Sequence, residues 1–174
     1  NIPELTHPAL ERRLASMRMA GLIEACRGGG AGTPYAVTDW ARRGVVPLAV
    51  ASRCERVHMQ GRAAPVTQLD IEAAFMLATP LVHLPEDVAG ACQLEVEADP
   101  EAARGEAGVR VRVESGRVVS CESGLGLGPL PFAAGTASKW FTAIDNGKAC
   151  LLRFGGGGQL AELLVVGMHT ALLG

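Results

Sequence analysis

The chain has 174 residues, enough for one large domain or two small ones, and 48% of them are hydrophobic, which is enough to form buried cores. Its formal net charge of −2 does not by itself indicate a nucleic-acid-binding protein. No apolar run approaches the roughly 20 residues that span a bilayer, and the sequence shows no secretory signal peptide, so we expect a cytoplasmic protein with no membrane partner.

Charge is distributed unevenly along the chain. Residues 1–63 contain nine arginines and five acidic residues, a net charge of +4, whereas residues 64–174 carry −6. This asymmetry is typical of a basic module that faces DNA and is joined to an acidic partner module. Arginines on a solvated helix produce the same imbalance, so charge alone leaves both interpretations open.

The cysteines are scattered, and no two are closer than 28 positions: Cys26, Cys54, Cys92, Cys121 and Cys150. They form no C-x-x-C pair and no zinc-ligand spacing, and the four histidines show no ligand spacing either. We therefore predict no metal site and no cofactor. An odd, dispersed set is typical of reduced, buried thiols in a cytosolic protein, and a redox-sensing cysteine is the alternative.

The first predicted element is a helix over residues 6–20. Leu10, Leu14 and Met17 recur at spacings of four and three, which places them on one apolar face. Gly21 is suited to the C-cap position that ends such a helix.

Two short strands on either side of a glycine-rich tip form a predicted hairpin: residues 22–26 and 33–37. Thr38 is suited to the N-cap of a second helix. That helix is predicted to reach about Met59, with Gly44 and Pro47 as positions where it bends.

A change in composition over residues 60–66, where glycine, alanine and proline cluster, predicts a domain boundary. We therefore divide the chain into a first module over residues 1–62 and a second over residues 67–174.

The second module is predicted to alternate between helices and strands. It begins with a helix over residues 67–82, whose start Thr67-Gln68-Leu69-Asp70 is an imperfect capping box. Strict alternation of apolar and polar residues predicts half-buried antiparallel strands joined by a turn at Ser115-Gly116. The predicted strands cover residues 93–98, 109–114, 117–121 and 149–154, and the later helices cover residues 136–144 and 159–173. This pattern predicts an α+β fold in which helices cover one face of an antiparallel sheet.

The segment from Leu10 to Trp40 resembles winged helix-turn-helix bacterial regulators of the HxlR kind and, more loosely, of the MarR kind. These residues carry the resemblance: Leu10-Glu11-Arg12-Arg13-Leu14, Met17, Ala20-Gly21-Leu22-Ile23, Tyr35-Ala36-Val37-Thr38-Asp39-Trp40 and Pro47. In such proteins the helix before the hairpin enters the major groove, and the wing contacts phosphate or the minor groove. The resemblance implies contacts with double-stranded operator DNA from these residues: His7, Pro8, Ala9, Arg12, Arg13 and, on the wing, Arg27.

The resemblance also implies a homodimer, because one helix and one wing reach only one half-site. The family has further helices before the recognition helix, and only five residues precede Thr6 here. We therefore expect the winged helix-turn-helix to be partial, with N-terminal helices missing. The alternative is that the arginines are only solvated and that the module serves dimerisation.

The second module resembles a sterol-carrier-protein-2-like domain. The following segments carry this resemblance: residues 84–90, 109–121, 136–144 and 157–161. It implies an apolar tunnel between sheet and helices that holds a hydrophobic small-molecule effector. The implied lining residues are Phe75, Met76, Trp140, Phe141, Leu164 and Met168. The alternative is that these side chains simply fill the core.

No catalytic residue is predicted, because no histidine lies near a serine or cysteine in a pattern typical of nucleophilic catalysis. The glycine-rich runs lack the G-K-[S/T] of a phosphate-binding loop. The sequence thus predicts a ligand-responsive bacterial transcriptional regulator that is not an enzyme. One alternative is a small-molecule binding or sequestering protein that no longer binds DNA, and another is an enzyme that uses the C-terminal cavity.

Overall fold

The computed structural model describes residues 7–25, 35–59, 66–98, 107–126 and 128–174. The chain divides into two compact units between Gly44 and Val45. The described elements of the first unit are helix α1 (His7–Met19), strands β1 (Ile23–Ala25) and β2 (Tyr35–Val37), which pair antiparallel, and helix α2 (Asp39–Arg43).

The predicted order of helix, hairpin and helix is confirmed in the first unit, and capping residues explain where its elements end. Gly21 adopts a left-handed conformation with φ 69°. The Gly21 and Leu22 N–H groups donate to the carbonyls of Arg18 and Met17, at 3.0 and 2.9 Å. This pair of bonds is a Schellman motif, so the predicted C-cap is confirmed.

The Thr38 hydroxyl forms hydrogen bonds both after the end of α1 and at the start of α2. Its hydroxyl oxygen accepts from the Ala41 N–H at 3.3 Å, which is the N-cap contact of α2. The same hydroxyl donates to the Gly21 carbonyl at 2.6 Å. One side chain therefore ties the end of α1 to the start of α2.

The helix predicted to run to Met59 is split at Gly44, and its second part is α3 (Val45–Met59). Pro47 lies in the first turn of α3, where its missing N–H leaves no intrahelical bond unmade. Val45, Val46 and Ala49 pack against the core of the second unit. This burial explains why the compact units divide before α3 rather than at the predicted boundary over residues 60–66.

The second unit is an α+β fold, as predicted. After α3, its described elements are α4 (Gln68–Ala78), β3 (Gly90–Glu97), β4 (Ala107–Glu114), β5 (Arg117–Ser123), β6 (Phe132–Thr136), α5 (Ala137–Asn146), β7 (Arg153–Gly155) and α6 (Gln159–Leu173). Short 3-10 helices cover Thr79–Leu81 and Ala149–Leu151, so the strand predicted over residues 149–154 is wrong in its first half. Within the described residues the strand order is β5-β4-β3-β6-β7.

Alternation in sequence determines which face of the sheet is buried. In β4, Val109, Val111 and Val113 are buried beneath the helices, whereas Arg110 and Arg112 are exposed on the outer face. The predicted capping box of α4 is confirmed between the Thr67 and Asp70 side chains and backbone. The predicted turn between β4 and β5 is confirmed as well.

The sheet is mixed, because β3 pairs with β6 in parallel, so the prediction of an antiparallel sheet is wrong at this pair. The chain leaves β5 and crosses the outer face of β4 and β3 before it enters β6. On the way the Gln93 side-chain amide donates to the Gly126 carbonyl at 3.1 Å, and Leu125 lies against Gly108. After this crossing, β6 lies on the side of β3 away from β4 and runs parallel to β3.

Strand β5 forms one edge of the sheet, and its pairing with β4 is interrupted by a β-bulge. Arg112 pairs with Ser120 and Val113 pairs with Val118, so Val119 is the extra residue. An isolated bridge between His83 and Arg117 lies at the start of the same strand.

We predict that Gly108→Ala destabilises the protein, because the backbone of β3 and the crossing chain leave no space for a side chain and because the φ of +156° is one that other residues rarely adopt. An added Cβ would lie 2.3 Å from the Leu94 carbonyl oxygen and 2.8 Å from the Leu125 Cδ2. We expect the free energy of unfolding, measured by urea denaturation, to fall by about 3 kcal/mol.

The matched control for this variant is Gly124→Ala. Gly124 has a φ of +92° but no heavy atom within 4 Å of its added Cβ, so we expect it to cost only the backbone strain, about 1 kcal/mol. Equal losses in the two variants would show that the close contact of Gly108 with β3 and Leu125 does not limit substitution.

Candidate functional site

The N-terminal half of α1 carries most of the predicted DNA contacts. Because residues four apart lie one above the other on a helix, Pro8 and Arg12 share one line and Ala9 and Arg13 share the next. Arg12 and Arg13 are exposed, and the Arg12 Nε donates to the Pro8 carbonyl at 3.3 Å. These four residues therefore form one surface, which we call the basic face.

His7 is exposed beside the basic face. Its Nδ1 lies 3.5 Å from a Glu11 carboxylate oxygen one turn later. Arg27, the predicted wing contact, lies outside the described residues. The structure thus brings five of the six predicted contacts together in the first two turns of α1.

The opposite side of α1 is apolar and only partly covered. Leu10 and Met17 are half-exposed, Leu14 is partly buried, and no residue of α1 is fully buried within the described structure. Near the C-terminal end of the helix, the Arg18 guanidinium lies 6.0 Å from the centre of the Tyr35 ring on β2. The described residues of the first unit therefore place the basic face in solvent but do not enclose the other side of the helix.

Four of the six predicted ligand-lining residues lie at the centre of the second unit. Phe75, Trp140, Leu164 and Met168 are each 0% exposed. The Phe75 and Trp140 rings meet edge to face, with their centres 4.6 Å apart. The Trp140 indole Nε1 donates to the Glu95 carbonyl at 2.7 Å, which fixes the ring against β3.

This burial bears directly on the predicted tunnel. A side chain that lines an open tunnel keeps surface that a water-sized sphere can touch, and these four side chains keep none. In this structure they form a closed core, so a ligand would have to displace them. Their role in ligand binding stays a prediction.

The remaining two predicted lining residues are less buried. Met76 is 37% exposed, and Phe141 is partly buried against the core. The Met76 sulfur lies 3.7 Å from the Cys121 Sγ, and the Glu72 carboxylate accepts from the Ser123 hydroxyl nearby. Met76, Cys121, Glu72 and Ser123 form a rim where α4 meets the edge strand β5.

The buried thiols of the second unit are not activated as nucleophiles. Burial, with a smaller contribution from the Cys121 thiol, raises the pKa of Cys92 to about 12. Burial also raises the pKa of Cys121, against a lowering by the Thr79 hydroxyl. Both stay protonated near neutral pH and are poor nucleophiles. Cys54 and Cys150 are exposed, so the prediction of buried thiols is wrong for them.

The structure also reveals a pair that the sequence analysis missed. Cys54 and His58 lie one turn apart on α3, with the cysteine Sγ 3.7 Å from the histidine Nδ1. Their spacing of four residues within a predicted helix was the available signal. In the described parts of the chain, including this position, no group of three or more His, Cys, Asp or Glu residues is placed to hold a metal ion.

Comparisons with known proteins assign no family. The chain matches no family model and no curated protein. Among solved structures it is similar to a conserved hypothetical protein of Thermus thermophilus, described as a possible sterol carrier protein, with 16% identity and a TM-score of 0.37. That match covers 63% of this chain and 84% of the other. A likeness of this size supports no functional assignment.

None of the described helices has both the length and the apolar character needed to cross a bilayer.

We predict that the raised pKa of Cys92 makes stability depend on alkaline pH. The unfolded thiol ionises near its model value of 9.0, whereas the folded thiol stays protonated up to about 12. The folded state therefore holds its proton more tightly, and the free energy of unfolding falls as pH rises through this window. The contribution of Cys92 to the slope approaches about 1.4 kcal/mol per pH unit.

Denaturant unfolding under reducing conditions, repeated across this pH window, measures the slope. Cys92→Ala should remove the contribution, whereas Cys150→Ala, at an exposed position, should leave it unchanged. An unchanged slope in Cys92→Ala would contradict the raised pKa.

Proposed function

We propose that this protein is a ligand-responsive bacterial transcriptional regulator, which binds operator DNA as a homodimer through its first unit. The observation that carries the proposal is the order of α1, the β1–β2 hairpin and α2, with Arg12 and Arg13 exposed on the first turns of α1. In winged helix-turn-helix proteins this position belongs to the helix that enters the major groove.

The basic face would supply two kinds of contact. An arginine guanidinium binds guanine O6 and N7 in the major groove with two parallel hydrogen bonds, or binds a backbone phosphate. Pro8 and Ala9 offer small apolar surfaces beside these arginines, suited to the methyl group of thymine. Arg27 would add a contact from the wing.

A second candidate is a protein that binds a small apolar molecule with its α+β unit and does not bind DNA. The observation that favours it is the partly uncovered apolar side of α1, where Leu10 and Met17 are half-exposed. A recognition helix needs a packed platform to hold its angle in the groove. Salt-dependent DNA binding distinguishes the two candidates.

We predict that Arg12→Ala and Arg13→Ala each weaken the binding of duplex DNA. Sequences selected by the full chain from a random duplex pool provide the probe, and fluorescence anisotropy gives Kd at several salt concentrations. An arginine that reads a base should cost about 1–3 kcal/mol and relax selection at one position. An arginine on phosphate should reduce the salt slope by about one.

The control is Arg117→Ala, which removes the same charge from an exposed position on β5. We expect its Kd to match that of the unaltered protein. Arg12 and Arg13 are exposed, and alanine has the highest helix propensity, so we expect both substitutions to preserve α1. Equal effects at all three positions, or binding that does not weaken with salt, would refute the DNA-binding proposal.

The second part of the proposal is an apolar effector held between the sheet and the helices of the second unit. We predict that a fatty acid or sterol from a tested panel binds with one molecule per chain and raises Tm. At a concentration of about 100 times Kd, it should add roughly 2.7 kcal/mol to the free energy of unfolding. Native mass spectrometry gives the stoichiometry.

Met76→Glu should abolish this binding, because it places a charge on the exposed rim beside the core. Val166→Glu, at a similarly exposed position on α6, is the matched control and should bind normally. If no member of the panel raises Tm, the effector proposal is refuted. If both variants bind alike, the effector does not contact the rim at Met76.

A further inference from the structure

Among the described side chains of helix α3, those that pack against the core of the second unit lie on one side of the helix. Val45, Val46 and Ala49 pack against the core. The Arg53 Nε lies 2.9 Å from an Asp145 carboxylate oxygen on α5, which adds a polar tie on that side. The described side chains on the opposite side of α3 are exposed.

Cys54 and His58 lie on this solvent side of α3, and both are exposed. Residues four apart on a helix project in the same direction, and such pairs serve as zinc ligands when both are metal-binding types. The Cys54 Sγ lies 3.7 Å from the His58 Nδ1, so the two side chains lie side by side on the helix.

The hydrogen bonding of His58 favours a metal ligand. Its Nδ1 lies 2.8 Å from the Cys54 carbonyl oxygen, and a carbonyl can only accept. In the neutral imidazole, the Nδ1 therefore carries the proton, and the Nε2 is the nitrogen left to bind a metal. Metal-bound histidines show this arrangement, with the second ring N–H donated to a backbone carbonyl or a carboxylate.

A thiolate and an imidazole are typical ligands of zinc. A structural zinc takes four nitrogen or sulfur ligands in a tetrahedron. One chain supplies two here, and its described residues place no third His, Cys, Asp or Glu beside them. A two-fold axis doubles every ligand, so two copies supply four.

We propose that Cys54 and His58 form half of a zinc site, which the same two residues of a second copy complete. Binding would release the Cys54 thiol proton, leaving a thiolate on the ion. Leu48, which is 68% exposed, and Ala51 lie on the same side of α3 and would meet the second copy beside the ion. This site is independent of the proposed DNA-binding face and effector pocket.

The test adds Zn²⁺ alone to the full chain, purified without metal and kept reduced with a phosphine that contains no thiol. We expect half an equivalent of zinc per chain, measured by elemental analysis after gel filtration. We also expect the dimer dissociation constant, from analytical ultracentrifugation, to fall at least ten-fold. Replacement of zinc by Co²⁺ should give the charge-transfer absorption of a thiolate–cobalt bond.

Cys54→Ser and His58→Ala should each remove the zinc-dependent fall in the dissociation constant, whether or not the chain also dimerises without zinc. Cys150→Ser, which changes another exposed thiol, is the matched control and should behave as the unaltered chain. One zinc per monomer, or a zinc effect that survives both substitutions, would overturn the proposal. Failure of DNA binding would not overturn the zinc proposal, because neither Cys54 nor His58 belongs to the basic face.

Discussion

The burial of Trp140 is the interaction on which the second unit depends. Its ring meets Phe75 of α4 edge to face, and its indole N–H satisfies the Glu95 carbonyl of β3. One side chain of α5 thus contacts another helix and the sheet at the same point. Replacing it with a smaller residue would open a cavity and remove the hydrogen bond to the Glu95 carbonyl. The same contacts close the space where a ligand was predicted.

Local signals in the sequence were sufficient for much of the fold. Alternation in β4 and the capping pair Thr67 and Asp70 predicted their elements because each signal lies within a few residues. Strand β6 was missed because Phe-Ala-Ala-Gly-Thr neither alternates nor contains β-branched residues apart from Thr136. Its place beside β3 follows from the crossing over Gly108, a long-range contact that no local pattern encodes.

The candidate sites were predictable to different extents. The arginines of α1 were identifiable because helical spacing alone puts Arg12 and Arg13 beside each other near the start of one helix. The tunnel residues could not be separated from the core, since a large apolar side chain such as Leu164 suits either role. Cys54 and His58 match no multi-ligand metal motif, and their pairing depends only on the turn of one helix.

The extra residue Val119 in β5 bears on how the protein behaves in concentrated solution. A regular edge strand offers a row of unpaired N–H and C=O groups on which another chain can add a strand. Here the bulge interrupts that row, and the bridge between His83 and Arg117 occupies its first positions. Deleting Val119 would straighten the strand, and aggregation through the sheet edge would then compete with folding.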